Sequence, residues 1–536
     1  MAKRKQKPPR PSAPQASFPP WLPHALLVTL AIAIYVNSVT NGFVGDDKYQ
    51  LLRNPLLTDP AKIPRIFTSG AWSFTGIVGN YYRPLQFLVY MLLYEIAGFH
   101  APAFHLFMIL LNAGNTLLLY LLVQRMSAGR IAFAAAALFA VHPVHTEVVD
   151  WAAALPDLMV TTFVLLGLLI FARQGAAPRG LQIVGHCAFY LLALMSKETG
   201  VMLMPLYLGF GFFCLGQRWS EFRQNAVLYV SLAAALGIYL AMRIAALGGL
   251  APAQQTGPFH LSPLEFVLSA VVTAAQYVWA LLFPVSLNYF HIFHPTHAVT
   301  VEFVFSALIL AAIVAAAMFL RMPLISYGIF WFAAAIAPAL NLTGVGQNVF
   351  TERYLYLPSA GFCWIAAWAW DWLASRQLLL ARAAGVIILF ACALEVMARN
   401  LDWQDSFTMW QVTLRQSPTS GLIHDALAAE YFERNQLDKC LEQERLAVQY
   451  EPGRAVFHMK LGYLVLRQDP TSSIVEFQKV LALEPATPRA HCDLALAYEV
   501  AGNPRQAADE YRKALQLQPQ YADAKQGYER VQAKLR

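Results

Sequence analysis

Two adjacent carboxylates, Asp46 and Asp47, are the strongest candidates for chemistry in this sequence. They lie in the loop 41–49, directly after the first apolar run at about residues 23–38. Carboxylates at a membrane boundary are costly to keep there, and neighbouring like charges oppose double ionisation. One of the two is therefore expected to hold its proton, which suits a general base or a pair that orients a hydroxyl nucleophile. The alternative is a solvated loop in which the pair only caps the next helix.

The composition places this loop in a polytopic membrane protein. Of the 536 residues, 57% are hydrophobic and only 13% are charged, which excludes an ordinary soluble protein of this size. The net charge of +7 is not a sign of nucleic-acid binding, because five basic residues lie in a Pro-rich N-terminal tail. Basic residues before an apolar run are typical of a cytoplasmic end. We predict a disordered cytoplasmic tail over 1–21 and a retained first span.

About eleven apolar runs are predicted to cross the membrane within residues 22–398, with boundaries good to a few residues. They are approximately 23–38, 104–123, 131–141, 155–171, 181–194, 201–215, 226–246, 303–320, 324–340, 358–372 and 378–393. The segment 266–283 is interpreted as re-entrant or peripheral, because the short basic loops then fall on the cytoplasmic face. The outer loop 39–103 then carries the acidic pair.

Under this topology, further polar residues fall at the same outer face as the acidic pair. The candidate cations for a donor phosphate are Arg83, Lys197, Arg243 and Arg353. The candidates for sugar or acceptor binding, or for a supporting network, are Tyr82, His142, His145, Glu147, Asp157, Glu198, Glu352 and Tyr354. Charged residues at membrane depth line a cavity or pair with one another. The set suits an anionic lipid head group and a hydroxyl acceptor; the alternative is ion pairs between span ends, such as Glu147 with Lys197.

No metal site, disulfide framework or cofactor is predicted. His142, His145 and Glu147 lack the HExxH spacing of a zinc site, and no third ligand is evident. Of the six cysteines, four lie in apolar runs, and Cys440 and Cys492 have no CxxC spacing.

The tail from residue 399 carries an internal repeat. Prolines recur at Pro418, Pro452, Pro485 and Pro519, at intervals of 34, 33 and 34 residues. That period is typical of the tetratricopeptide repeat, in which each repeat is a pair of helices. We predict three repeats and a capping helix within 399–536. Such arrays bind extended peptides in a concave groove, and the alternative is a structural lid or an oligomer contact.

Five motifs in this order resemble one known family. They are Asp46-Asp47, Tyr82-Arg83-Pro84-Leu85, His142-Pro143-Val144-His145-Thr146-Glu147, Ser196-Lys197-Glu198 and Glu352-Arg353-Tyr354-Leu355-Tyr356-Leu357-Pro358, followed by the repeats. The chain resembles a bacterial-type relative of the transmembrane and tetratricopeptide-repeat O-mannosyltransferases, within the GT-C glycosyltransferases. The resemblance implies an all-α fold of GT-C type with a C-terminal α-solenoid. It also implies a lipid-phosphate-linked sugar donor, and it places the catalytic base at Asp46 or Asp47.

The expected function is therefore transfer of a sugar from polyprenyl phosphate to a hydroxyl acceptor, with Ser or Thr of a protein as the expected acceptor. The expected mechanism is an inverting displacement on the non-cytoplasmic face. The expected partners are the polyprenyl-phosphate sugar, membrane lipids and a protein acceptor in the repeat groove, without nucleic acid. The expected location is the bacterial inner membrane, with the repeats periplasmic. The alternatives are a non-catalytic scaffold that recruits secreted partners and, third, a lipid-linked sugar flippase or polymerase.

Overall fold

The computed structural model describes residues 19–76, 79–174, 180–218, 222–223, 225–251, 261–319, 322–342 and 348–536. Most of the predicted tail over 1–21 lies outside these residues. Within the described ranges the chain forms helices and loops, with no β-strand. The all-α prediction is confirmed.

Apolar helices make up the first three quarters of the chain. The longer ones are Leu22–Ala33, Pro84–Ala97, Ala101–Gln124, Gly129–Val141, Leu155–Gln174, Leu181–Ser196, Ala226–Leu247, Pro263–Leu282, Val301–Phe319, Pro323–Ile336, Tyr356–Arg376 and Leu378–Arg399. Several begin with proline at the first turn, where its missing N–H removes no hydrogen bond. The helix Pro84–Ala97 begins directly after Arg83.

Seven helices in the described part are long and apolar enough to cross a membrane. They are Ala101–Gln124, Ala152–Arg173, Ala226–Leu247, Pro263–Leu282, Val301–Phe319, Pro323–Leu340 and Leu378–Trp403. The pair Gly129–Val141 and Pro143–Asp150, bent by 53°, adds an eighth if it forms one span. The predicted count of about eleven is therefore not confirmed. The chain nevertheless has the apolar helices of a membrane protein.

Three of the predicted spans form shorter apolar helices, Leu22–Ser38, Leu181–Ser196 and Glu198–Cys214. The last contains a 3₁₀ turn at Glu198–Met202 and a π-helical turn at Phe210–Cys214, which interrupt regular α-helix. The segment predicted as re-entrant or peripheral is the 20-residue helix Pro263–Leu282, which meets the length and apolarity of a crossing helix. Its peripheral placement stays a prediction.

Two glycines allow a close helix contact that positions the site. A Cβ atom on Gly361 would lie 2.5 Å from the carbonyl oxygen of Gly328 on the neighbouring helix. Small residues let backbones approach in this way in lipid-embedded bundles. Trp331 donates a hydrogen bond to the carbonyl of Leu357 at 2.8 Å in the same contact. The contact fixes the start of helix Tyr356–Arg376, directly after the predicted site residues at 352–354.

The bundle has two distinguishable ends. Helix Leu22–Ala33 leads into the loop 41–49, and helix Gly129–Val141 leads toward Ala153, whose N–H donates to that loop. Helix Leu378–Arg399 ends where its last side chain donates to Thr146 at 3.0 Å. These three helices therefore end near the acidic pair and begin far from it. We name the two ends the acidic-loop end and the opposite end.

The C-terminal segment forms the predicted tetratricopeptide repeats. The helix pairs are Gly421–Glu433 with Leu437–Tyr450, Ala455–Val465 with Pro470–Leu483, and Pro488–Val500 with Pro504–Leu517, followed by the capping helix Ala522–Leu535. In the last repeat, Ala507, Tyr511 and Ala514 are buried against the cap. A further helix, Ser406–Gln416, connects the bundle to the first pair.

Candidate active site at the acidic loop

Asp47 anchors the acidic loop to the bundle. Its side chain is fully buried, Oδ2 accepts from the backbone N–H of Val44 at 3.1 Å, and Oδ1 accepts from that of Ala153 at 2.7 Å. Burial raises the pKa of Asp47 to about 8, although these backbone hydrogen bonds act to lower it. Because both carboxylate oxygens hold the loop in place, Asp47 is poorly placed to contact a substrate.

Asp46 has the opposite character. It is half-buried, and its carboxylate makes no hydrogen bond or ion pair with any residue in the described ranges. Burial raises the pKa of Asp46, while the nearby guanidinium of Arg353 acts to lower it. A carboxylate that is free of partners and has a raised pKa is suited to accept a proton. The geometry thus distinguishes two aspartates that the sequence alone treats alike.

The turn that presents Asp46 requires glycine at position 45. Gly45 has a φ of +53°, in the left-handed region that side chains with a Cβ rarely adopt. A Cβ atom there would lie 3.5 Å from Cε of Met409 and 3.9 Å from the hydroxyl of Tyr289. The preceding carbonyl, of Val44, accepts a hydrogen bond from Nε1 of Trp151 at 3.3 Å. The loop is therefore held on several sides.

Arg353 is fixed beside the acidic pair by a buried carboxylate. Its Nη1 and backbone N–H donate to Glu147 at 2.7 and 2.9 Å, and Thr351 Oγ1 lies 2.8 Å from both oxygens of the same carboxylate. The guanidinium carbon lies 5.2 Å from the ring centroids of Trp151 and Tyr354. Its Nε and Nη2 make no hydrogen bond with the described residues, so these donors are available to an anion.

The other three predicted cations are also paired with carboxylates. Lys197 Nζ lies 2.5 Å from Asp157 Oδ1. Arg83 donates to Glu198 Oε2 through Nε at 3.1 Å and Nη2 at 2.9 Å, and Arg243 Nη1 lies 3.5 Å from Oε1 of the same carboxylate. Each cation is thereby fixed in position, which is the arrangement that stabilises a developing negative charge with little reorganisation.

Two of the cations, Lys197 and Arg353, lie on either side of one aromatic ring. The ring of Tyr354 lies between them, with its centroid 5.1 Å from Lys197 Nζ and 5.2 Å from the guanidinium carbon of Arg353. The ion pair of Glu147 with Lys197 suggested by the sequence is wrong, because Glu147 pairs with Arg353 and Lys197 pairs with Asp157.

His142 and His145 are buried and make hydrogen bonds to other helices of the bundle. His142 Nε2 lies 3.1 Å from the carbonyl oxygen of Leu281, and His145 Nε2 lies 2.8 Å from Ser359 Oγ. Within the described part of the chain, no group of three or more His, Cys, Asp or Glu side chains is arranged to hold a metal ion. The role predicted for the two histidines, in sugar or acceptor binding or in a supporting network, stays a prediction.

Tyr82 and Glu352 also make hydrogen bonds within the protein. The Tyr82 hydroxyl donates to the carbonyl of Phe67 at 2.8 Å. Glu352 Oε1 accepts from the N–H of Asn288 at 2.9 Å and from His291 Nε2 at 2.6 Å. Although burial acts to raise it, the pKa of Glu352 lies below its ordinary value because of the hydrogen bond from His291. These contacts attach the loop 283–300 to the site.

Sequence reasoning missed Tyr289, which lies in that loop. Its ring centroid lies 5.4 Å from that of Trp151 and 5.1 Å from that of Trp410, in edge-to-face contacts. Burial raises the pKa of Tyr289, and the charge of Asp46 raises it further. The loop has no periodic pattern, so no signal in the sequence placed this residue. It gives the acidic pair an aromatic wall with a hydroxyl group.

The repeat domain packs directly on the acidic loop. Lys48, next to the acidic pair, has its Nζ 2.6 Å from Glu430 and 3.0 Å from Glu433, at the end of the first repeat helix. The N–H of Gly45 donates to Ser406 Oγ at 3.2 Å. A structural change in the first repeat would therefore act on the loop that carries Asp46.

Lys48→Glu is expected to loosen this contact, because it places a third carboxylate against Glu430 and Glu433. Amide hydrogen exchange should become several-fold faster over residues 44–50 and stay unchanged over 488–521. The matched control is Lys525→Glu, which reverses an exposed charge on the capping helix. If amide exchange over residues 44–50 were as slow in Lys48→Glu as in the wild type, the ion pairs of Lys48 would not be what holds the loop in place.

Two family models match the chain. The one described as dolichyl-phosphate-mannose-protein mannosyltransferase matches residues 83–243, and the one described as tetratricopeptide repeat matches residues 488–521. The first match begins at Arg83 and ends at Arg243, the two arginines that share Glu198.

Curated proteins match over a larger part. Protein O-mannosyl-transferase F38B6.6 from Caenorhabditis elegans is 26% identical over 429 residues, covering 74% of this chain and 58% of that protein. Protein O-mannosyl-transferase TMTC4 from Homo sapiens is 24% identical over 477 residues, covering 77% and 64%. The chain is a relative of the protein O-mannosyl-transferases. The resemblance predicted from the five motifs is thereby confirmed.

The chain spans less than two thirds of the length of these O-mannosyl-transferase relatives. Among solved structures, ArnT from Cupriavidus metallidurans bound to undecaprenyl phosphate is 15% identical, with 92% of this chain and 80% of that chain covered. The TM-score is 0.43, which is too low to define a shared fold.

Proposed function

We propose that this chain transfers a sugar from a polyprenyl-phosphate-linked donor to the hydroxyl group of Ser or Thr in a protein. The observation that carries the proposal is the free carboxylate of Asp46 beside Arg353, whose Nε and Nη2 are also free among the described residues. A proton acceptor next to an anion-binding donor is what a hydroxyl group needs to displace a phosphate. The names of the relatives support a mannosyl donor as the first to test.

In the proposed reaction, the acceptor oxygen attacks the anomeric carbon of the donor from the face opposite to the phosphate. Asp46 takes the hydroxyl proton as the new carbon–oxygen bond forms. The bond between the anomeric carbon and the phosphate oxygen breaks, and its electron pair stays on the phosphate. This single displacement inverts the anomeric configuration and releases polyprenyl phosphate and the glycosylated acceptor.

Arg353 is the first candidate to hold the departing phosphate, because it is the cation within electrostatic range of Asp46. Lys197, across the Tyr354 ring from Arg353, and the pair Arg83 and Arg243 on Glu198 would bind the remaining phosphate oxygens or the sugar. The proposed reaction uses no metal or other cofactor, because these side chains supply the positive charge. Tyr289 would pack against the sugar or the acceptor.

We infer that the acceptor protein binds in the concave groove of the repeats. The contact of Lys48 with Glu430 supports this, because it joins the first repeat to the loop that would act on the acceptor. The proposed orientation places the N-terminus in the cytoplasm. The acidic loop and the repeats then lie on the other face, which in a bacterium is the periplasmic face of the inner membrane.

The pH dependence of transfer is expected to report on Asp46. Because burial raises the pKa of Asp46, the rate should fall as the pH drops through a value above that of an ordinary carboxyl group. Arg353→Gln removes the charge that lowers this pKa, so the acidic limb of the profile should move to higher pH. Single-turnover rates measured across pH for both proteins test this. Coincident midpoints would argue against Asp46 as the base.

The proposal is tested in cells by glycopeptide analysis of envelope proteins. Cells that lack this chain are complemented with the wild type or with Asp46→Asn, and hexose adducts on Ser and Thr are quantified. We expect adducts that are lost without the chain and restored only by the wild type. Full restoration by Asp46→Asn would instead favour the non-catalytic scaffold.

A further inference from the structure

A cavity of about 910 Å³ lies at the opposite end of the bundle from the acidic loop. Its walls come from the beginning of helices Leu22–Ala33, Gly129–Val141 and Leu378–Arg399, from the second half of Tyr356–Arg376, and from Tyr120 near the end of Ala101–Gln124. The lining is almost entirely apolar. The volume lies in the range of about 300–1,000 Å³ that is usual for small-molecule pockets.

The cavity opens onto the apolar outer surface of the bundle. Three of its lining residues, Leu26, Val386 and Ile388, are exposed to 51%, 68% and 52%. Two of them lie on Leu378–Trp403, a helix long and apolar enough to cross the membrane, so their exposed side chains face lipid tails. An apolar space with such an opening takes up hydrocarbon rather than water.

Two arginines, Arg130 and Arg382, lie on the wall of this cavity. Arg130 forms an ion pair with Asp371, whereas Arg382 is exposed and makes no ion pair or hydrogen bond with the residues the structure describes. Nearby in the chain, the guanidinium carbon of Arg376 lies 4.6 Å from the ring centroid of Trp372. Trp and Arg side chains are typical of the depth at which lipid head groups lie.

We propose that this cavity binds an anionic phospholipid, with an acyl chain between the helices and the phosphate at Arg382 and Arg130. The two arginines carry two positive charges, and only Arg130 is paired with a carboxylate, that of Asp371. The rim therefore has a net positive charge, which is complementary to an anionic head group. Phospholipid binding is inferred from the cavity and its two arginines, whereas the exclusion of the glycosyl donor as its occupant rests on the proposed function.

The glycosyl donor is not the occupant. Its phosphate must reach Arg353 at the acidic-loop end, whereas the 13 residues of helix Gly129–Val141 alone separate the two ends by about 20 Å. A lipid in this cavity therefore has its phosphate in the other leaflet from the reaction. Its role is to fill the space between the helices that line the cavity.

Native mass spectrometry of the full chain, released from nanodiscs of known composition, tests this site. The probes are phosphatidylglycerol and phosphatidylcholine with identical acyl chains, supplied in equal amounts. The expected result is one retained phosphatidylglycerol per chain, in preference to phosphatidylcholine. Arg382→Gln should lower that preference about fivefold, the effect of one interfacial charge. The control Arg125→Gln removes an exposed arginine at the same end, outside the cavity wall, and should keep the wild-type preference.

A second variant tests the cavity itself. Ala134→Phe places a large side chain in the cavity and should abolish retention, with the thermal midpoint in detergent checking that the protein is folded. If Ala134→Phe does not fold, the proposal is tested by comparing the phosphatidylglycerol preference of Arg382→Gln with that of Arg125→Gln. Equal retention of both lipids by the wild type, or an equal loss in the two arginine variants, would overturn the proposal. So would preferential retention of polyprenyl phosphate in competition with phosphatidylglycerol.

Discussion

Asp46→Asn is expected to reduce sugar transfer by about 10²–10⁴-fold while leaving the fold intact. The asparagine amide has nearly the same size as the carboxylate but cannot accept the hydroxyl proton. Because the Asp46 carboxylate makes no hydrogen bond or ion pair with the described residues, its replacement removes no structural hydrogen bond. The single-turnover rate and the thermal midpoint of the purified variant measure the two effects separately.

Two other aspartates serve as controls for this result. Asp59→Asn changes a half-exposed residue of the same outer loop, whose side chain caps a short turn by accepting from Ala61 at 3.0 Å, and should transfer normally. Asp47→Asn should lower the free energy of unfolding by about 1–3 kcal/mol, because an amide cannot accept from both Val44 and Ala153. An equal loss of stability in Asp46→Asn would contradict the separate roles.

Arg353→Gln is expected to lower the free energy of unfolding by about 3–5 kcal/mol and also to slow transfer strongly. The side chain of Glu147 is only 1% exposed. After the substitution it keeps the hydrogen bond from the Thr351 hydroxyl but loses the positive charge of Arg353. An uncompensated buried carboxylate is strongly destabilising. Unfolding in detergent and single-turnover transfer, measured on the same preparation, give the two quantities.

The double variant Arg353→Gln/Glu147→Gln separates structure from chemistry. Removing both charges leaves no unpaired buried charge, so most of the stability should return. Transfer should stay slow, because the cation next to Asp46 is still missing. If the transfer rate returned together with the stability, Arg353 would act only through the fold and would have no place at the phosphate.

The parts of the fold that follow local patterns could be predicted from the sequence. The proline period of 33–34 residues predicted the helix pairs between Gly421 and Leu517, because each repeat is built from residues close in the chain. Long apolar runs also predicted the boundaries of single helices well, because each run is one continuous stretch of the chain. The predicted spans 104–123 and 226–246 agree within a few residues with Ala101–Gln124 and Ala226–Leu247.

The number of spans could not be predicted in this way, because hydropathy averages over breaks in a helix. The run 201–215 is apolar throughout, yet in the structure it begins in a 3₁₀ turn at Glu198–Met202 and ends in a π-helical turn at Phe210–Cys214. The segment 266–283 has the composition of a crossing helix, and its placement depended on the charges of distant loops.

The charged members of the site could be predicted, but their pairing could not. A charge in apolar surroundings is conspicuous in a sequence, whereas its partner depends on which helix ends meet. Lys197 and Asp157 are 40 residues apart, and Arg353 and Glu147 are 206 apart. Tyr289 was missed because it lies in an irregular loop and is brought to the acidic pair by tertiary contacts.

Sugar transfer to a protein hydroxyl group is tested with the wild-type protein reconstituted in lipid vesicles. Mannosyl polyprenyl phosphate and a peptide that contains Ser and Thr are supplied, and the released polyprenyl phosphate and the glycopeptide are quantified by mass spectrometry. We predict equal amounts of the two products, an inverted anomeric configuration in the glycopeptide, and no product with a peptide that lacks Ser and Thr. Release of polyprenyl phosphate without glycopeptide, or no turnover of the donor by folded protein, would contradict sugar transfer to a protein hydroxyl.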